Sequence, residues 1–320
     1  MSRLTENILS YMNEWGDHRF TATGVYSWQN YMYETLSISG NGFANDETGA
    51  WDMGQANRET VEYGSDKYEN SLISWTGRVT YAYKDRYLLT ATARYDGSSR
   101  FGENNKWGFF PSIGLAWRAS EEKFLAGNKV ITNLKVRGSF GVTGNQEIGN
   151  YKSLAQLKVD NYIYNDTEIQ GFYETIGNPD LKWERANQFD IGIDLSLWNR
   201  IHVTADYYHR KTSDLLYNVP IPSTSGFSSM LSNVGSVLNK GWELSITGNI
   251  IDLNDLKIDA TVNLSRNTNK IKELYNDVQS ITLKSGLGLS SYLKVGESLN
   301  SRYALLADGI IRTEEQLAAY

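Results

Sequence analysis

The stretch Ile73–Asp96 reads ISWTGRVTYAYKDRYLLTATARYD, and its spacing decides the fold. Odd positions carry Ile73, Trp75, Gly77, Val79, Tyr81 and Tyr83, whereas even ones carry Ser74, Thr76, Arg78, Thr80 and Ala82. That is period-two alternation, which places apolar side chains on one face of a strand and polar ones on the other. Lys84-Asp85-Arg86 interrupts the pattern, and it restarts with Tyr87, Leu89, Ala91, Ala93 and Tyr95 against Leu88, Thr90, Thr92, Arg94 and Asp96. Two such runs about a tight turn predict a β-hairpin.

The same alternation recurs along the chain. Phe109, Pro111, Ile113, Leu115 and Trp117 oppose Ser112, Gly114, Ala116 and Arg118; Leu134, Val136, Phe140 and Val142 oppose Lys135, Arg137, Ser139 and Thr143. Phe189 to Leu197, Ile201 to Tyr208, Trp242 to Ile250 and Ile258 to Ser265 read likewise. None of these apolar faces carries Asp, Glu, Lys or Arg, while the polar faces hold both signs. A soluble β-sandwich alternates in this way too, so connection lengths have to discriminate. Short turns at 16–17, 84–86, 198–200 and 251–256 interleave with long stretches at 35–70, 144–182, 212–240 and from 268 onward. Tight hairpins on one side and elaborated loops on the other belong to an up-and-down barrel that crosses a membrane. Tyr81, Tyr83, Tyr87, Trp117 and Trp198 beside short turns, with Trp28, Tyr95, Phe109 and Trp242 beside long loops, read as two aromatic girdles.

Composition agrees with an all-β chain. Tyr reaches 21 and Trp 9 of 320 residues, while Pro stays at 4. Aromatic-rich, proline-poor sequence favours strands. There is no apolar run of the roughly 18 residues that a membrane helix needs. Cys is absent, which removes disulfides and thiolate metal sites, and a net charge of -6 gives no basic footprint for nucleic acid. Met1–Ser10 lacks the pattern of a secretory leader.

Catalytic patterns fail on inspection. Ser120-Glu121-Glu122-Lys123 matches S-x-x-K without its companion motifs, and Ser120 reads as the N-cap of a short helix in a connecting turn. His18, His202 and His209 are the only histidines, and seven residues along a strand put His202 and His209 on opposite faces. No phosphate-cradling loop and no esterase elbow is present, so neither an enzymatic activity, a metal nor a cofactor is expected.

Four longer stretches carry a family resemblance: YDGSSRFGENNKWGFFPSIGLAWRASEEKF (Tyr95–Phe124), LKVRGSFGVTGNQEIGNY (Leu134–Tyr151), GNPDLKWE (Gly177–Glu184) and VGESLNSRYALLADGI (Val295–Ile310). In this order and spacing they resemble the SusC/RagA-like, TonB-linked outer-membrane proteins. The resemblance implies a barrel of about 22 strands with a plugged lumen, of which about ten strands fall in this chain. It also implies a Gram-negative outer-membrane location, import of oligosaccharides or peptides, a SusD-like lipoprotein lid, and energy from the TonB-ExbB-ExbD complex. The family's plug precedes the barrel and its final strand closes it, so residues 1–320 are expected to be a partial barrel domain lacking both. Thr313-Glu314-Glu315-Gln316 reads as a capping box opening a helix within a long loop. A surface adhesin or soluble β-protein is the alternative from another class.

Within the Tyr95–Phe124 motif, Asp96-Gly97 reads as an Asx-type turn with a positive φ at glycine, with Arg100 pairing back to Asp96 and Phe101 folding over the turn. Asn178-Pro179-Asp180 reads as a turn that returns a long loop to a strand near Trp183. These residues are expected to be structural. Candidate ligand or lid contacts are Trp51, Asp52, Gln55, Asn57 and Tyr63 in the 35–70 stretch, with Asn145, Gln146, Tyr162, Tyr164, Phe172 and Tyr173 in the 144–182 stretch. Aromatic faces stack on sugar C–H surfaces and amides bond hydroxyls, but the same set suits a peptide.

Overall fold

A computed structural model describes residues 1–45, 47, 51–253, 255–284, 290–299, 301–303 and 314–315, without the side chains of 158–162, 172–174, 283–284 and 290–291. Its main element is a ten-stranded antiparallel sheet. The strands are β1 (Ser2–Trp15), β2 (His18–Ser39), β3 (Glu62–Tyr83), β4 (Tyr87–Ser98), β5 (Trp107–Arg118) and β6 (Ile131–Asn145). They continue as β9 (Glu184–Leu197), β10 (Ile201–Ser213), β13 (Ser236–Asp252) and β14 (Lys257–Glu273). Sheet order is chain order, interrupted only by two hairpins carried on loops: β7 (Gln156–Tyr164) with β8 (Thr167–Thr175), and β11 (Leu216–Pro220) with β12 (Ser229–Asn233). A small sheet of β15 (Ser280–Lys284), β16 (Ser290–Lys294) and β17 (Arg302–Tyr303) follows. Glu314 and Glu315 are helical; the rest of the capping box lies outside the described residues.

Turn chemistry sets the alternation of connections. Lys84 and Asp85 have φ 53° and 52°, Trp198 and Asn199 50° and 55°, and the Arg86 and Arg200 N–H groups donate back to Tyr83 and Leu197 at 3.0 and 2.9 Å. Both are type I′ geometries, whose twist matches that of the flanking strands. The same side of the sheet holds the 16–17, 119–130 and 253–256 connections, and the opposite side holds 40–61, 99–106, 146–183 and 214–235.

Register makes the two faces continuous from strand to strand. Ile193 pairs with Ala205, which pairs with Leu244 and then Leu264; Leu195, Val203, Ile246 and Val262 form the neighbouring row. This face stays open: Trp75, Leu115, Ile191 and Val262 are each exposed. Among the described residues no second sheet covers it, so the sandwich alternative does not form, and the apolar solvent that such a face requires is lipid. A depression on it, bounded by Leu9, Tyr26, Trp75, Tyr95 and Phe109, is therefore a lipid-facing groove.

The opposite face is polar and internally bonded. Arg137 on β6 reaches Asp194 at 3.2 Å and Asp206 at 2.8 Å, two strands away. Gly192 lies between them in register, and a Cβ there would sit 2.3 Å from Asp206 Oδ1 and 2.7 Å from Arg137 Cζ. The missing side chain lets the guanidinium span the middle strand.

Three expectations need correction. The 35–70 stretch is ladder at both of its ends, because β2 and β3 continue to Ser39 and from Glu62, well past the nine to eleven residues or so that a membrane strand needs; Tyr63 stands on β3. Asp96-Gly97 is not a turn: both residues lie within β4, and Gly97 has no left-handed φ. Glycine is needed there because the Trp107 ring lies over it, 2.7 Å from where a Cβ would be, to stack on Tyr95 at 4.8 Å. Ser120 caps nothing; the 3₁₀ turn at Ala119–Glu121 has Arg118 at its N-cap, without a side-chain bond.

Candidate functional site: the loop-side mouth

The buried core of the described chain is not in the wall but at the loop end of the sheet. Phe101, Phe110, Val142, Ile148, Leu181 and Trp183 form one cluster, with Leu72, Leu216 and Leu231 packed against it. Pairing of β5 with β6 stops at Ser112–Gly141, while β6 continues along β9 to Asn145. The cluster fills that opening. The Phe110 ring lies where side chains at Gly108 and Gly144 would stand, 2.4 and 2.2 Å from their Cβ positions, and meets Trp183 edge-on at 5.2 Å. Phe101 packs on the same indole at 4.9 Å.

Two of the quoted motifs interlock here across about eighty positions of sequence. The Gly102 N–H donates to Leu181 O (3.2 Å), the Asn105 amide to Asp180 O (3.1 Å), and Trp183 Nε1–H to Lys106 O (3.0 Å). At Gly102 a Cβ would fall 1.6 Å from Pro179 O, a contact no residue but glycine permits. Asn178 folds its own turn, its Oδ1 accepting from the Asp180 N–H at 3.0 Å, while its amide donates to Leu231 O at 2.8 Å. Asn233 completes the tie to the β11–β12 hairpin by bonding both the N–H and the carbonyl of Lys182, at 2.9 and 2.7 Å.

Arg100 does not pair with Asp96. Asp96 is buried and takes Arg94 instead, at 3.2 Å, because both side chains lie on the same face of β4. Arg100 turns toward the 146–156 segment, donating to Gln146 O at 3.2 Å and meeting Glu147 at 3.6 Å. Ser98 and Ser99 serve the backbone, accepting from the N–H groups of Arg100 (3.2 Å) and Ser71 (2.9 Å).

The remaining candidates scatter along the rim. Trp51 is 97% exposed; beside it Asp52 accepts from the Gly54 N–H and from Gln55, and Asn57 caps the next 3₁₀ turn. Asn145 accepts from the Glu147 N–H at 3.0 Å. Tyr63 and Tyr164 are exposed, and the side chains of Tyr162, Phe172 and Tyr173 lie outside those described. Sequence reasoning missed Tyr31, Tyr68, Asn150 and Tyr151, which line a hollow of about 740 Å³ between the β2–β3 extension and the 146–156 segment.

The sequence profile of the TonB dependent receptor-like β-barrel family matches residues 3–309. The chain belongs to that family. TonB-dependent receptor P39 of Formosa agariphila is 39% identical over 318 residues, covering 98% of this chain and 30% of the relative. TonB-dependent receptor SusC of Bacteroides thetaiotaomicron is 39% identical over 224 residues, 68% of this chain and 22% of SusC. Among solved structures, the RagAB peptide transporter superposes with a TM-score of 0.82 at 31% identity, covering 94% of this chain and 33% of that one. The chain thus matches between about a fifth and a third of the length of these relatives, as a segment of a SusC/RagA-like outer-membrane barrel. In such a barrel the short connections are periplasmic, the long ones extracellular, and the Phe101–Trp183 cluster lies at the extracellular mouth.

Proposed function

We propose that this segment forms wall and mouth of an energy-coupled importer that takes up oligosaccharides, capped by a SusD-like lipoprotein and driven through the TonB-ExbB-ExbD complex. The observation that carries the reading is the pairing of a lipid-facing wall with a built mouth. Three loop systems are bonded to one another through Gly102, Asn178 and Asn233, which gives cargo-binding side chains a rigid support. An inner face rich in Ser, Thr and paired charges suits hydroxyl-rich cargo, since hydroxyls both donate and accept. Exposed Trp51, Tyr63 and Tyr164 supply aromatic faces along the rim. A second reading, the same machinery carrying peptides, is favoured by the likeness to the RagAB peptide transporter.

Uptake by cells expressing the full-length protein tests both. Fluorescent oligosaccharides should accumulate only when TonB is functional; accumulation of labelled peptides instead would select the second reading, and accumulation of neither would end the importer reading.

A further inference from the structure

We infer that the hollow between the β2–β3 extension and residues 146–156 is a subsite for one or two sugar units of a neutral oligosaccharide, bound by Arg100, Asn150, Tyr31, Tyr68 and Tyr151. The inference rests on the importer reading and specifies where its cargo is first held. Its volume, about 740 Å³, is in the range of small-molecule sites.

Tyr31 and Tyr68 share the face that continues, through Leu72 and Ser74, into the inner wall, because Tyr33 pairs with Tyr68 and Tyr31 with Asn70. The three rings form a row, Tyr33 stacked on Tyr68 at 4.8 Å and Tyr31 at 6.1 Å from it. From the other side comes Tyr151, whose φ of 61° is unusual for a bulky residue. That conformation is held by the Glu69 N–H donating to Tyr151 Oη at 2.9 Å, and backbone outliers of this kind cluster at binding sites.

Two of the lining residues, Arg100 and Asn150, each carry a buried polar atom, Nε and Oδ1, that has no hydrogen-bond partner among the described residues. A buried donor and a buried acceptor left unpaired are costly, and hydroxyl groups satisfy both kinds. In the proposed complex the Arg100 and Asn150 side chains turn toward the hollow, so that one hydroxyl accepts from Arg100 Nε–H, another donates to Asn150 Oδ1, and C–H faces lie against tyrosine rings. Charge selects neutral cargo. Lys67 is paired with Glu34 at 2.5 Å and Arg100 with Glu147, leaving Asp66 and Lys152 as one charge of each sign. An acidic glycan needs surplus cations, which these pairings consume.

The test uses full-length protein in detergent, incubated with an array of neutral oligosaccharides, uronic-acid oligosaccharides and short peptides, alongside TonB-dependent uptake in cells. Neutral members should be retained, and Tyr68→Ala and Asn150→Leu should each weaken retention at least tenfold, with heat-modifiable gel migration unchanged. Asn150→Asp keeps the acceptor oxygen and should retain more binding than Asn150→Leu. Retention of acidic glycans or peptides alone, no retention of neutral glycans, or equal retention by both variants overturns the subsite. If uptake persists while these variants bind normally, the subsite fails and the importer reading stands; if nothing of any class is imported, that reading fails first.

Discussion

Ile193 and Phe101 are both large apolar side chains in a β-rich chain, yet Ile193 keeps 45% of its surface and Phe101 only 1%. Ile193 belongs to the wall, where lipid is the apolar partner and no protein side chain has to cover it. Phe101 belongs to the mouth, where the surroundings are aqueous and a small core of soluble type must be assembled from loops. One molecule therefore obeys two burial rules, and the boundary between them runs where β5 and β6 part beyond Ser112–Gly141. The wall tolerates sequence drift as long as the face stays apolar; the mouth depends on shape.

The strongest way to break this contrast is at the mouth. Truncating a fully buried aromatic costs about 3–5 kcal/mol, so Phe101→Ala should loosen the extracellular loops severely. Gly102→Ala should act in the same direction, since the obstructing atom is the backbone oxygen of Pro179 and cannot swing aside. Limited proteolysis of the full-length protein should show cleavage within 99–106 and 177–184, while heat-modifiable migration of the barrel persists. Loss of the barrel together with the loops would mean that wall and mouth are one unit.

Second comes the wall. Ile193 stands mid-way in the apolar row Phe189 to Leu197, so Ile193→Arg should cost about 2–4 kcal/mol near the bilayer midplane. Ser245 is on the opposite face, bonded to Asn263 at 2.7 Å, and Ser245→Arg should be mild. Folding into vesicles followed by denaturant titration compares them. A larger loss for the serine variant would invert the facing assignment.

These two predictions differ in how much of their basis the sequence displays. The wall was legible because a face against lipid must be apolar at every second residue, and Ile73–Tyr83 and Tyr87–Asp96 show that pattern on either side of their turn. Beyond the membrane the pattern fades while the ladder persists, since both faces of Thr35–Ser39 and Glu62–Asp66 meet water; this is why an extended hairpin reads as a loop. The mouth was legible only as motifs. Nothing local to Gly102 indicates that Pro179 will lie against it, and Asp96-Gly97 carries the letters of a turn although its glycine makes room for the Trp107 ring. Contacts between positions that distant leave no periodic trace, and the same holds for Tyr31, Tyr68 and Tyr151.

A smaller effect is expected inside the wall. Gly192→Ala displaces the Arg137–Asp206 bridge, but the atoms it meets are the ends of side chains that can move aside. Partly exposed bridges of this kind contribute about 0.2–1 kcal/mol. A double-mutant cycle pairing Gly192→Ala with Asp206→Asn should therefore show coupling of that order, and additivity would mean that the bridge does not depend on the glycine.

The smallest effect lies at the periplasmic turns. Glu122, in the 119–130 connection, accepts from the Tyr87 hydroxyl at 2.6 Å and from Trp117 Nε1–H at 3.3 Å, and meets Arg86 at 3.4 Å. The Tyr87 bond, followed by that from Trp117, holds the Glu122 carboxyl below its ordinary value. A carboxyl depressed in the folded state contributes stability that is fully present above its unfolded value, roughly 4.3, and is lost as pH falls through the folded value. The heat-modification temperature of the wild type should therefore drop on acidification below that range by more than that of Glu122→Gln, whose amide does not titrate. The two should run in parallel at neutral pH and above. The contribution is small because what these bonds secure is the ends of β4 and β5 rather than the wall they belong to. Parallel curves down to acidic pH would show that the turn side, like the lipid face, is held by its strands alone.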